Sequence, residues 1–142
     1  MAEITGFLRE DATFGEKQTC KLLEKNLPKE YTVYVETPIH KKREIRYPDF
    51  IVLTNYGVIV LEVKDWITVT RADPQGATVQ TRQGGTRYEP SPVGKARELA
   101  IALSNQLNAK CSPGGFGEAV PWSYAAVLIN LPTSVITQLR KP

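Results

Sequence analysis

The stretch PDFIVLTNYGVIVLEVKDW, residues 48–66, limits what this chain can fold into more than any other segment. Residues 50–53 and 58–63 are two apolar runs rich in β-formers, and Asn55, Tyr56 and Gly57 between them have turn chemistry. The pattern predicts two adjacent antiparallel strands. Both faces of each run are apolar, which predicts a sheet covered on both sides.

The remaining segments supply the cover. Residues 13–27 predict a first helix: Thr13 is a suitable N-cap, Pro28 marks the stop, and Glu16, Cys20, Leu23 and Leu27 recur along one face. Glu16 therefore lies at the N-terminal end of the inward stripe. Residues 31–35 alternate and predict a strand. Residues 38–46 read as a basic connection containing His40, Lys41, Lys42 and Arg43. Residues 67–71 and 77–81 predict a second hairpin across Asp73-Pro74-Gln75-Gly76, and residues 83–92 read as a loop. Residues 92–110 give the clearest helix, with Val93, Ala96, Leu99, Ala100, Leu103 and Leu107 on one stripe. A Gly/Pro-rich loop is expected over 111–117 and an apolar strand over 122–129, while 133–142 carry no assignment. This order predicts an α+β or α/β fold, a mixed sheet flanked by helices.

A length of 142 residues suits a single domain, 1–142, with a core large enough to stand without staples. The two cysteines, Cys20 and Cys111, form no CxxC pair or Cys/His cluster, which argues against structural zinc and for a reducing, cytoplasmic setting. No apolar run approaches the roughly 20 residues of a membrane span, and residues 1–13 lack the apolar core of a signal peptide. The net charge of +3 permits nucleic-acid binding without arguing for it. No GxxxxGK[ST] motif is present.

The chemistry concentrates at the far end of the central hairpin. If Asn55 and Tyr56 form a two-residue turn, Thr54 pairs with Gly57, and counting outward sets Asp49 opposite Glu62. Such pairs have Cβ atoms about 4.5–5.5 Å apart on one face. Two like charges there repel, and an unpaired charge at the end of oily strands is costly, so a positive group is expected between them. Lys64, two residues beyond Glu62, is expected on the same face. A three-residue turn would shift the register by one and break the pairing. Carboxylates and an ammonium without nearby cysteine or histidine suit Mg²⁺ or Mn²⁺, which would activate a water and neutralise a phosphodiester. The bland alternative is a cross-strand ion cluster of Asp49, Glu62 and Lys64 that contributes little.

Pro48-Asp49, twelve intervening residues and then Glu62-Val63-Lys64 resemble the PD-(D/E)xK nuclease superfamily. More narrowly, Gly15-Glu16 opening the first helix, Gly57 before a long apolar strand, and Trp66 after Glu-x-Lys resemble the NERD (nuclease-related) domain, over roughly residues 13–130. The resemblance implies a restriction-endonuclease-like mixed sheet flanked by helices. It implies Mg²⁺ or Mn²⁺ held by Asp49, Glu62 and the Val63 carbonyl, with Glu16 assisting and Lys64 catalytic. It also implies nucleic acid as partner, DNA ahead of RNA, no membrane, and frequent fusion to helicase or other DNA-processing domains. The chain's end at Arg140-Lys141-Pro142, without a clear cap, suggests an N-terminal fragment of such a protein. One departure stands out: the family's Asn-Pro-x-x-Gln is here Ser91-Pro92-Val93-Gly94-Lys95, so Lys95 replaces the Gln.

Each of these residues has a plainer role beside the sharper one. Glu16 also fits a capping box with Thr13. Trp66 suits packing, and His40 a solvated surface. Lys41, Lys42 and Arg43 suit either a solvated connection or phosphate contacts. Lys95 in a first helical turn opposes the helix dipole, which favours a functional reason over a surface one. Two functions follow: a metal-dependent nuclease, or a module of the same fold that grips nucleic acid or a partner without cutting. Oligomeric state is open.

Overall fold

In a computed structural model describing residues 1–82, 84–111 and 120–139, the elements run β1 (Glu3–Thr5), α1 (Phe14–Asn26), β2 (Thr32–Val35), β3 (Ile39–Lys41), β4 (Glu44–Arg46), β5 (Phe50–Thr54), β6 (Gly57–Val63), β7 (Trp66–Asp73), β8 (Gly76–Thr81), β9 (Thr86–Pro90), α2 (Pro92–Cys111), β10 (Trp122–Val127) and α3 (Thr133–Leu139). The main sheet has the order β1-β2-β5-β6-β10. Its two outer pairs, β1 with β2 and β6 with β10, are parallel, and its centre is antiparallel. A β3–β4 hairpin and a three-stranded β7-β8-β9 sheet stand beside it. This is a mixed α/β architecture of the nuclease-like α+β kind.

The central hairpin adopts the two-residue turn, with Thr54 opposite Gly57 and Phe50 opposite Leu61. The Thr54 hydroxyl donates to the Gly57 carbonyl at 3.0 Å and accepts from the Tyr56 N–H at 3.0 Å. Gly57 carries φ +144°, and a Cβ there would lie 2.2 Å from the Pro121 carbonyl oxygen. Only glycine fits, and its strand then pairs with β10.

Side chains alternate between two cores, as expected for a sheet covered on both faces. Ile51, Val58 and Val60 pack with Leu99, Ala100 and Leu103 of α2. Phe50 and Val52 pack with Val33 and Val35, against Cys20, Leu23 and Leu27 of α1. Trp66, Val79 and Leu131 form a third core between the β7-β8-β9 sheet and α3.

Several expectations are corrected. Residues 38–46 are the β3–β4 hairpin rather than a connection: Ile39 is fully buried against α2, and Lys42 takes the turn at φ +55°. The expected loop at 83–92 contains β9, which pairs with β8 from Gly76↔Pro90 to Gln80↔Thr86. Val93 is exposed, and the buried stripe of the helix runs from Ala96. Residues 3–5 add an edge strand, the strand after residue 122 stops at Val127, and α3 occupies part of the unassigned tail. The loop expected over 111–117 falls almost wholly outside the described residues, as do 140–142. Among the described residues no helix is long and apolar enough to cross a membrane.

Candidate active site

The register of the hairpin decides the site. The ladder ends with Phe50 opposite Leu61, and continuing its register one step sets Asp49 beside Glu62, at the end away from the turn. Asp49 follows the fully buried Pro48, and its carboxylate accepts a hydrogen bond from the Val63 N–H at 2.8 Å. Its carbonyl accepts from the Glu36 N–H at 3.2 Å. Glu62 shares the α2-facing parity of Val58 and Val60 and is 1% exposed. One of its carboxylate oxygens, Oε1, is buried without a hydrogen-bond partner. The other lies 3.3 Å from the Lys95 ammonium, delivered by the first turn of α2. Burial and the negative charge of Asp49 push the Glu62 carboxyl up to about 7, against the opposing pull of Lys95.

Glu16 comes from the other side of the sheet. Thr13 caps α1, accepting from the Glu16 N–H at 3.1 Å. The return half of a capping box does not form: the Glu16 carboxylate turns to Arg9, 3.5 Å from Nη2. Glu16 is 7% exposed, and burial together with the charge of Asp49 raises its carboxyl above the ordinary range. Asp49 thus sits electrostatically between Glu16 and Glu62. Gly15 lets this helix turn approach the end of β6, since a Cβ there would meet Asp65 Oδ1 and Ile129 Cγ2 at 3.0 Å each. Arg9 also reaches Glu36, Nη1 to Oε1 at 2.8 Å, so one guanidinium holds the N-terminal segment, α1 and the end of β2 together.

Regular β6 ends at Val63, and among the described residues the ion-pair partner of Lys64 is Glu89, with Nζ 3.7 Å from Oε2. The cation beside Glu62 is Lys95 instead. Glu89 accepts from Trp66 Nε1 at 2.7 Å and pairs with Arg87 at 2.8 Å. Burial alone would raise the Glu89 carboxyl, but the Trp66 hydrogen bond, Lys64 and Arg87 hold it below the ordinary range. Trp66 is buried, so it packs and positions Glu89 rather than offering an open face. Lys64, Glu16 and Glu89 line one cleft of about 120 Å³ between α1 and the three-stranded sheet. Sequence reasoning missed Glu89, Arg9 and Glu36. Only Trp66, whose N–H needs a partner when buried, hinted at the first.

His40 is exposed, and Lys41 pairs with Glu98 at 3.1 Å. Among the described residues, no three His, Cys, Asp or Glu side chains gather into a ready metal cage. The oxygen-only pair of Asp49 and Glu62, with an orphaned oxygen on Glu62, still fits a hard divalent cation that takes further ligands from backbone carbonyl or water. An orphaned buried carboxylate oxygen calls for a positive partner.

The fold and site define an α+β domain with a mixed sheet and opposed carboxylates at the open end of its central hairpin. The family model of the nuclease-related domain matches residues 12–129, and the chain belongs to that NERD family. Comparison with curated proteins gave no match, and neither did comparison with solved structures.

Proposed function

We propose that the chain is a Mg²⁺- or Mn²⁺-dependent phosphodiesterase that hydrolyses nucleic acid, DNA ahead of RNA, in the cytoplasm. The observation that carries this reading is the Asp49–Glu62 pair: opposed by register, buried at Glu62, and left with an unsatisfied oxygen. A buried carboxylate short of partners destabilises the fold, so the arrangement calls for a bound cation rather than a structural role. Asp49, Glu62 and the Val63 carbonyl would hold the divalent ion, which when bound lowers the pKa of a water and neutralises phosphodiester charge. Asp49 is aimed by the Val63 N–H. Glu16, raised by burial and by Asp49, holds or passes a proton beside the attacking water. Lys64 Nζ offers positive charge to the developing phosphorane. Lys95 pulls against the upward shift of the Glu62 carboxyl.

A second reading has a specific observation behind it. Lys95 sits 3.3 Å from Glu62, where its ammonium can substitute for a metal ion. The domain would then grip nucleic acid or a protein partner without cutting, as part of a larger DNA-processing protein. Labelled single-stranded and duplex DNA and RNA, incubated with Mg²⁺, Mn²⁺ or chelator, separate the two readings. Metal-dependent cutting that Asp49→Ala abolishes supports the nuclease. Retention without cutting under any metal supports the binding module.

A further inference from the structure

Two arginines, Arg82 and Arg87, line the cleft that holds Lys64 and Glu16, and the site chemistry above uses only Arg87, which holds Glu89. Arg82, just past the end of β8, lies with its guanidinium 4.0 Å above the centre of the Phe14 ring, the first residue of α1. Both side chains are exposed, and both sit beside Thr13, the cap that positions Glu16. Among the described residues no carboxylate comes within ion-pair distance of Arg82. Arg87, its neighbour on the cleft wall, differs: two of its nitrogens already bind Glu89. The ring face holds the guanidinium without pairing it to a carboxylate. A fixed, unpaired fork of this kind matches the bidentate geometry of a phosphate.

Resting on the nuclease reading above, we propose that the cleft between α1 and the β7-β8-β9 sheet seats the sugar-phosphate backbone of the nucleic-acid strand, with Arg82, propped on Phe14, gripping a phosphate adjacent to the one cut. The cleft is lined by three cations, Lys64, Arg82 and Arg87, and three carboxylates, Glu16, Asp65 and Glu89, and the pair Asp49 and Glu62 is not among its lining. Glu16 and Lys64 line the cleft, and Asp49 borders it through the Val63 hydrogen bond. The rival track is the basic β3–β4 hairpin, whose Lys42 and Arg43 are exposed, but Lys41 there is spent on Glu98 and the pocket lined by Lys42 and Arg43 includes neither Lys64 nor Glu16.

The test is binding of fluorescent 20-nucleotide single-stranded and duplex DNA by the full chain carrying Asp49→Ala, in Mg²⁺ across a salt series. Adding Arg82→Ala is expected to weaken binding about tenfold, for any sequence, and to lower the salt slope by about one. Arg82→Lys restores part of the affinity, and Phe14→Leu reproduces part of the loss by freeing the guanidinium. Lys42→Ala with Arg43→Ala leaves the Arg82 effect in place. Unchanged affinity and slope in Arg82→Ala, with melting unchanged, overturns the assignment, as does binding that depends on Lys42 and Arg43 alone. If neither the Asp49→Ala parent nor the unmutated chain in chelator retains any DNA or RNA, the nucleic-acid reading itself falls and takes this inference with it.

Discussion

Replacing Glu62 by Gln removes a charge that the folded protein holds at a cost. The Glu62 carboxyl is 1% exposed and titrates at about 7 when folded, against 4.5 for an ordinary glutamate. Between those values the folded protein keeps a proton that the unfolded chain has released. The native state then binds more protons than the unfolded state, so stability falls as pH rises from about 4.5 to 7 and is lowest above 7. At about 1.4 kcal/mol for each pH unit across that window, the cost is on the order of 3 kcal/mol. Glu62→Gln resembles the protonated acid in shape and carries no such penalty. Lys95 loses its partner in this variant, but half of its side chain is exposed and that loss is small. Thermal melts in chelator at pH 5, 6, 7 and 8 compare the two proteins. The variant is expected to match the parent near pH 5 and to melt higher by on the order of 10 °C at pH 8. A difference that stays flat from pH 5 to 8 would refute the reasoning, because no proton would then be tied to folding at Glu62. Adding Mg²⁺ or Mn²⁺ is expected to raise the melting temperature of the parent at pH 8 far more than that of the variant.

Lys64→Ala is expected to abolish cleavage while leaving the melting temperature within a few degrees, since its 3.7 Å pair with Glu89 is part-exposed; cutting at the parental rate would remove Lys64 from the mechanism. Lys95→Gln is expected to push the Glu62 carboxyl still higher and to tighten divalent-ion binding, read by calorimetry; weaker ion binding would mean that Lys95 supports the ion rather than standing in for it. Gly57→Ala is expected to cost at least about 1–3 kcal/mol in denaturant unfolding, from its φ of +144° and the 2.2 Å approach to Pro121, and wild-type stability would show that the β6–β10 edge can yield.

The parts of the fold that were legible in the sequence are those where a strong local rule also decides the tertiary outcome. Asn55 and Tyr56 before Gly57 admitted a two-residue turn, and because side chains alternate with period 2 that one choice set Asp49 toward Glu62, five residues outward along each strand from the Thr54↔Gly57 pair. Glu16 followed from helical periodicity. The β3–β4 hairpin was hidden because its turn uses Lys42 at positive φ, where no glycine or asparagine marks it. Strand β9 was hidden because Thr86, Arg87 and Tyr88 are all exposed, so no apolar alternation announces it, and pairing with β8 alone makes it a strand. The pairing of Lys64 was not legible either: regular β6 ends at Val63, and its partner Glu89 comes from β9. Lys95 was flagged by its unfavourable place in a first helical turn, but its distance from Glu62 depends on how α2 docks, which no local rule supplies.

The two lysines divide the charge of this end of the sheet unequally, and the difference bears on which of them can move. Lys95 is the one cation at Glu62, whose other oxygen has no partner, so withdrawing Lys95 leaves a buried carboxylate still more exposed to Asp49. Glu89 is in the opposite position. Trp66 and Arg87 hold its carboxylate at 2.7 and 2.8 Å, and Lys64 stands farther off at 3.7 Å. Lys64 can therefore leave Glu89 for a phosphate in the cleft without orphaning a buried group. A phosphodiester entering the cleft meets one loosely held ammonium at its back wall and one unpaired guanidinium, Arg82, at its side. On the proposed reading, the cost of ordering Lys64 toward substrate is the loss of a weak ion pair, while the structural duty of neutralising the carboxylates stays with Lys95.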